Sequence, residues 1–245
     1  MKAIVVAHPD DEALWLSAVL AQADRVVFCY GDQFGGAGEK KSAARRRAVA
    51  ALPLPGIINL ALSESGTRKL VDWARTTFSP AGITIADAAG QARYEANFTA
   101  LLARLRPALA GCTAVFTHNP WGEYGHPEHV QVYRAVAALQ AELGYTIWFS
   151  NYAGPLTWRL ARDSETRFAG RQIVQPDKRL AHSLCRVYTR AGAWTWPLAH
   201  RWPRTEILYV QESGAGNIHS LTGEPLLDTS RLRWWRLRDA TRMLA

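Results

Sequence analysis

The sequence predicts an α/β fold: a Rossmann-like, mostly parallel sheet with helices on both faces, followed by a C-terminal extension. Three observations predict it. Short apolar runs alternate with stretches of helical period through the first 150 residues, the pattern of strands joined by crossover helices. The apolar runs are continuous rather than alternating, as strands buried on both faces require. And 48% of the 245 residues are hydrophobic, enough to fill one large core. One domain over residues 1–245 is therefore expected, with residues 1–150 as its core and 151–245 as a variable extension.

Taken in order, strands are predicted over residues 3–6, 26–30, 57–62, 114–117 and 146–149. A first helix starts at Asp10 or Asp11, either a good N-cap, with Leu14, Ala18 and Ala21 at helical spacing. A second over 43–52 is stopped by Pro53 and Pro55, and a third over 94–105 by Pro107. Val132, Val136, Leu139 and Leu143 make the stripe of a fourth, closed by Gly144. Residues 71–89 show no period and read as a long loop near the site. After Asn151 the pattern thins. Asp177 caps a helix reaching Tyr188, residues 206–211 form a late strand, and the tail is rich in Trp and Arg.

The net charge is +8, which favours an anionic substrate, a nucleic acid or a membrane surface. Cys29, Cys112 and Cys185 are odd in number and far apart. They form neither a disulfide framework nor a zinc knuckle, so a cytoplasmic, reducing setting is expected. The first apolar run is too short for a signal peptide, and no window is apolar enough to span a membrane.

Two clusters carry the chemistry. The first is His8-Pro9-Asp10-Asp11-Glu12, directly after the first strand. Pro9 keeps His8 out of the helical region, so the chain turns sharply there. One of the adjacent acids can bind a metal while the other stays free for proton transfer. Helix capping with acids at the positive end of the dipole would explain one aspartate, but not both together with His8. The second cluster runs from Thr117 to His129 and follows another predicted strand. Pro127 suits the first position of a helix, which makes His126 its cap. His126 and His129, three apart, can converge on one point, and Glu128 can orient an imidazole. Imidazole and carboxylate together suit Zn²⁺, with Fe²⁺ the other ion they accommodate.

The run Ala7-His8-Pro9-Asp10-Asp11-Glu12 with Tyr124-Gly125-His126-Pro127-Glu128-His129 resembles the PIG-L/LmbE-like zinc N-deacetylases, over about residues 1–150. The resemblance implies His8, Asp11 and His129 as zinc ligands and Asp10 as general base. It implies His126 as the group that holds the oxyanion or protonates the leaving amine, with Tyr124 assisting. Glu128 stands where the family commonly has Asp. Glu64, before Ser65-Gly66, matches the acid that touches the sugar, and Lys41 and Ala44 replace the Arg-x-x-Glu that often opens the second helix. The implied substrate is a small amino-sugar conjugate, anionic or lipid-linked given the charge, and the reaction is hydrolysis of its N-acetyl group. An amidase acting on a non-sugar or antibiotic conjugate is the nearest alternative.

Three other readings are weaker. A non-haem iron oxygenase usually spaces its ligands His-x-Asp, not His-x-x-Asp. A nucleotide-binding loop at residues 31–36 lacks the G-x-G-x-x-G order. The basic tail, residues 231–238, would suit a membrane surface through Trp234 and Trp235, or single-stranded nucleic acid, but its plainer reading is a helix packed on the core. No nucleic-acid partner is expected. Peripheral contact at the inner membrane is the remaining expectation from the charge, with Lys40, Lys41, Arg45, Arg46 and Arg47 adding to it.

Overall fold

The computed structural model describes residues 1–35, 38–212 and 219–232. Gly36, which closes the glycine-containing loop, and Trp234 and Trp235 of the tail lie outside the described residues.

The strands are β1 (Lys2–Val6), β2 (Arg25–Phe28), β3 (Ile57–Asn59), β4 (Phe78–Ser79), β5 (Gly82–Ile83), β6 (Ala114–Thr117), β7 (Thr146–Ser150), β8 (Tyr152–Ala153), β9 (Arg167–Phe168), β10 (Gly170–Val174), β11 (Glu206–Gln211), β12 (His219–Ser220) and β13 (Leu227–Asp228). The helices are α1 (Asp11–Trp15), α2 (Glu39–Ala51), α3 (Ala88–Leu109), α4 (Pro127–Leu143), α5 (Trp158–Arg162) and α6 (Lys178–Ala191).

Seven strands form the central sheet in the order β10-β11-β7-β6-β1-β2-β3. The five from the first 150 residues run parallel, and β11 and β10 add to the β7 edge antiparallel. Residues 3–6 of β1 are fully buried. Ala3 and Val5 face the cluster that holds α3 and α4, while Ile4 and Val6 face the cluster that holds α1, α2 and α6. This two-sided burial is why the strand has no polar alternation.

The sheet order puts β1 beside both β2 and β6. The chain leaves β1 toward one edge and later returns to build the other, so a crevice opens at the carboxyl ends of β1 and β6. Ligands of open α/β sheets bind at such a point, and both chemical clusters follow those two strands.

Several helix limits differ from expectation. The first helix ends at Trp15, because Leu14, Trp15 and Leu16 are all buried while Ala21 is exposed, so the expected stripe is not a core face. The second begins at Glu39, four residues early. The third begins at Ala88 because Asp87 caps it, its carboxylate accepting from Gly90 N at 2.6 Å. It also runs through Pro107 to Leu109. Residues 71–89 are thus not one long loop: they include the β4–β5 hairpin and the first residues of α3. The end of α4 at Gly144 (φ 77°) follows expectation, whereas α6, capped by Asp177 as expected, runs three residues past Tyr188 to Ala191, before Gly192 (φ 73°). Both glycines lie in the left-handed region that glycine adopts without penalty.

Candidate metal centre and active site

His8, Asp10, Asp11, His126 and His129 are each at most 4% exposed and lie together in the crevice. Asp11 is the hub. Its Oδ2 accepts from the His8 backbone N–H at 2.8 Å and lies 3.2 Å from His8 Nδ1 and 3.3 Å from His129 Nε2. Its Oδ1 accepts from the Trp15 indole N–H at 3.2 Å. A tetrahedral ion with ligands at about 2.0–2.2 Å sets its donor atoms about 3.3 Å apart, a spacing that the His8–Asp11 and Asp11–His129 pairs match. The sets whose donor atoms all lie within 4.8 Å of one another among the described residues are His8, His126 and His129, and Asp11, His118 and His129. The buried Nε2 atoms of His8 and His129 also have no hydrogen-bond partner. These observations fit a divalent cation.

His118 lies 3.5 Å from the same Asp11 oxygen, and its ring stacks on His129 at 3.8 Å between centroids. It is not free to ligate. Its Nε2 accepts the Ala7 N–H at 2.9 Å, which uses that nitrogen's lone pair and leaves the proton on Nδ1, 3.2 Å from Glu123 Oε2.

Glu123 is the residue sequence reasoning missed. Its Oε2 accepts from His129 Nδ1 at 2.7 Å, and its Oε1 from Asn119 N at 2.9 Å. The pair fixes the His129 tautomer and leaves Nε2 toward Asp11, the carboxylate–histidine arrangement that supports metal ligands. Burial opposes the charge on Glu123, but His118 and His129 pull its pKa down to about 2. Glu128 does not serve His129. Its Oε1 accepts from Ser65 N at 3.1 Å and Ser65 Oγ at 2.5 Å, and its Oε2 lies 3.0 Å from His126 Nδ1. So Glu128 does face an imidazole, that of His126, but off the hydrogen-bonding angle.

Asp10 points elsewhere. It sits at φ 103°, strained for a residue with a side chain. Its N–H donates to Glu12 Oε2 at 3.2 Å, and Glu12 is held in turn by the Tyr188 hydroxyl at 2.7 Å. Asp10 Oδ2 accepts from Thr195 N at 3.0 Å and Thr195 Oγ1 at 2.7 Å. Burial, then the like charge of Asp11, raise the Asp10 pKa to about 7, against the Thr195 bonds. Thr195 lies in the extension, and no motif in the sequence marks it.

Burial holds His126 well below the ordinary histidine range, helped by His129 and Arg68, so it is neutral at rest. The proton that the resemblance has His126 give to a leaving amine is therefore not present on the resting residue. Tyr124 stacks on Trp15 (5.6 Å) and approaches His129 (5.4 Å) and Trp196 (4.8 Å), with Arg68 5.9 Å above its ring. Glu64 accepts from Arg45 at 2.6 Å and reaches within 3.4 Å of His8 Nε2. Lys41 is half-buried; burial, and then Arg45, lower its pKa.

The match to a family model decides the identity. Residues 3–140, more than half of the chain, match the model for PIG-L, described as GlcNAc-PI de-N-acetylase. The chain belongs to the PIG-L family. Solved structures share the fold. A deacetylase–teicoplanin complex from the teicoplanin biosynthesis pathway is 14% identical at a TM-score of 0.57, over 88% of this chain and 100% of that one. A zinc-inhibited form of teicoplanin deacetylase Orf2 is 16% identical at 0.55, over 87% and 99%. The A40926 pseudoaglycone deacetylase Dbv21 is 14% identical at 0.50, over 87% and 98%. Among curated proteins no sequence matches significantly. The PIG-L match ends inside α4, so Thr195 and the rest of the extension fall outside it.

One prediction follows from the electrostatics of this PIG-L centre. Burial disfavours a charge on His129, but Asp11 and Glu123 on either side outweigh it and push its pKa up to about 10. His8 is lowered to about 3 by burial and then His126, and Asp11 is held ionised by its histidines. Without an ion, a proton on His129 therefore supplies the positive charge, and ligation must displace it. Zinc binding at pH 6–7 is expected to release about one proton, and affinity to rise about tenfold per pH unit until about pH 10. Calorimetry in buffers of differing ionisation enthalpy measures this. Release of no proton would contradict His129 as a ligand.

Proposed function

We propose that this protein hydrolyses the N-acetyl group of a small amino-sugar conjugate, with zinc held by His8, Asp11 and His129. The observation that carries this is the division between adjacent aspartates. Asp11 faces the histidines, whereas Asp10 is turned away onto Thr195, buried and tuned to about 7. Amide hydrolysis needs both an electrophilic centre and a separate base.

A zinc ion with an open position supplies Lewis acidity and a water acidified to a pKa near 7. Asp10, when ionised, accepts a proton from the attacking water. Its pKa of about 7 belongs to the metal-free site, and a cation beside Asp11 would lower it, keeping the base ionised at neutral pH. His126 is neutral at rest and can donate its ring N–H to the oxyanion. Negative charge developing there raises its proton affinity, so the proton that Asp10 takes from the water can be relayed through His126 to the departing amine, where it ends. Tyr124, protonated because burial raises its pKa, stands beside it as a further donor. Glu64, which accepts from Arg45, would accept from sugar hydroxyls in this reading. A cavity of about 370 Å³ lined by Arg68, Trp73, Tyr124 and Leu156 is room for the remainder of the conjugate.

The described residues contain no helix long and apolar enough to cross a membrane. The test is acetate release, with bound metal measured on protein purified without chelators. About one metal per chain and acetate from at least one N-acetylglucosamine conjugate are expected. Full activity of chelator-stripped protein would refute the reading.

A further inference from the structure

Asp10 is gripped at both its backbone and its carboxylate from one stretch of chain, residues 188–195 at the end of α6. Its N–H donates to Glu12, and Glu12 accepts from the Tyr188 hydroxyl. The Tyr188 carbonyl accepts from Ala193 N at 2.8 Å and Trp194 N at 3.3 Å. Thr195, the next residue, closes the ring by donating from N and Oγ1 to Asp10 Oδ2. Residues 188–195 lie beyond residue 140, outside the family match.

A carboxylate turns easily about its last bond, because that torsion has broad wells. Two donors on one oxygen remove the freedom. Both fall on Oδ2, so Oδ1, which takes no hydrogen bond among the described residues, is the oxygen left to accept a proton. Thr195 is exposed whereas Asp10 is buried, so the threonine is the outer member of the pair and packs little itself. Packing therefore does not explain why it is aimed at a buried carboxylate on a backbone strained at φ 103°.

We propose that Thr195 is a positioning residue: it fixes the Asp10 carboxylate so that Oδ1 meets the attacking water. This rests on the deacetylase reading, in which Asp10 is the base. Rate depends steeply on such placement, since a displacement of about 1 Å at a reacting group costs about 100-fold. Thr195 acts only through Asp10, and its removal should spare both zinc and substrate binding.

The test measures acetate release from N-acetylglucosamine and its p-nitrophenyl glycoside by the zinc-loaded parent, Thr195→Val and Thr195→Ser. Thr195→Val should keep its zinc and its KM while kcat falls about 10- to 100-fold, the range for losing a hydrogen bond to a charged group. Thr195→Ser keeps the hydroxyl and should stay within about twofold of the parent. In an Asp10→Asn background, Thr195→Val should cost less than about twofold, because the base it positions is already gone; a purely structural threonine would cost the same in both backgrounds. Crystal structures of the zinc-loaded parent and Thr195→Val give a readout independent of turnover. The Asp10 carboxylate should be turned from its parent orientation in the variant. Unchanged kcat in Thr195→Val, an equal loss in both backgrounds, failure of serine to rescue, or an unmoved Asp10 overturns the positioning role while leaving the deacetylase intact. Absence of acetate from both sugars, with Asp10 turned in Thr195→Val, supports the positioning and counts against the reaction instead.

Discussion

Asp10→Asn is expected to retain about one equivalent of zinc and to lose about 10²- to 10⁴-fold in kcat, the range for removing a general base. The substitution isolates the base because nearly everything else about Asp10 survives it. The backbone sits at φ 103°, a region asparagine tolerates better than other residues with side chains, whereas alanine would add strain. The amide oxygen can still accept from Thr195 N and Oγ1, now at 3.0 and 2.7 Å. Asp11 keeps its own supports, the His8 N–H and the Trp15 indole. What disappears is the ionisable oxygen. Steady-state rates with metal analysis on the same preparation check this. Wild-type turnover by a zinc-loaded Asp10→Asn protein would show that the base is elsewhere.

The first cluster is legible in sequence because its chemistry is local. His8 and Asp11 are three residues apart, and a proline-forced turn after a buried strand brings them to 3.2 Å. The doubly covered sheet is legible for the same reason, since Ala3, Ile4, Val5 and Val6 state their two-sided burial directly. The second cluster is only half legible. Glu123 and Glu128 lie in one short segment, and either could serve an imidazole by type. The choice is made by left-handed turns at Gly122 (φ 76°), Glu123 (φ 49°) and Gly125 (φ 102°). These fold Glu123 back under His129 and leave Glu128 on α4 facing Ser65. Spacing alone does not encode that reversal. Thr195 is illegible for a different reason: it reaches Asp10 across 185 residues, and a lone threonine in a weakly patterned region carries no signal. Helix ends were misjudged where capping outweighed period, as at Asp87, and where burial on every side erased a face, as in α1.

His129→Ala is expected to abolish zinc binding and activity together, and to destabilise the metal-free protein by about 3–5 kcal/mol. Both effects come from its place between two carboxylates, Asp11 Oδ2 at 3.3 Å and Glu123 Oε2 at 2.7 Å. Its removal takes away one proposed ligand and leaves two ionised acids buried without the cation they share. Because that variant can fail to fold, Glu123→Gln is the sharper probe. It keeps an oxygen at the site and alters only the charge behind His129, so zinc affinity should fall about 10- to 100-fold, the usual effect of losing such a partner. His126→Ala provides the contrast. His126 is 4.9 Å from His129 between ring centroids and faces Glu128, not Asp11, so it should keep its zinc and lose turnover. The expected order of metal loss is therefore His129→Ala, then Glu123→Gln, then His126→Ala, measured by competition with a chromogenic chelator. Loss of kcat should be severe at both histidines. Equal metal loss from His126→Ala and His129→Ala would move His126 into the ligand set. The trio would then be His8, His126 and His129, whose donor atoms all lie within 4.8 Å of one another, and Asp11 would become the carboxylate that orients them.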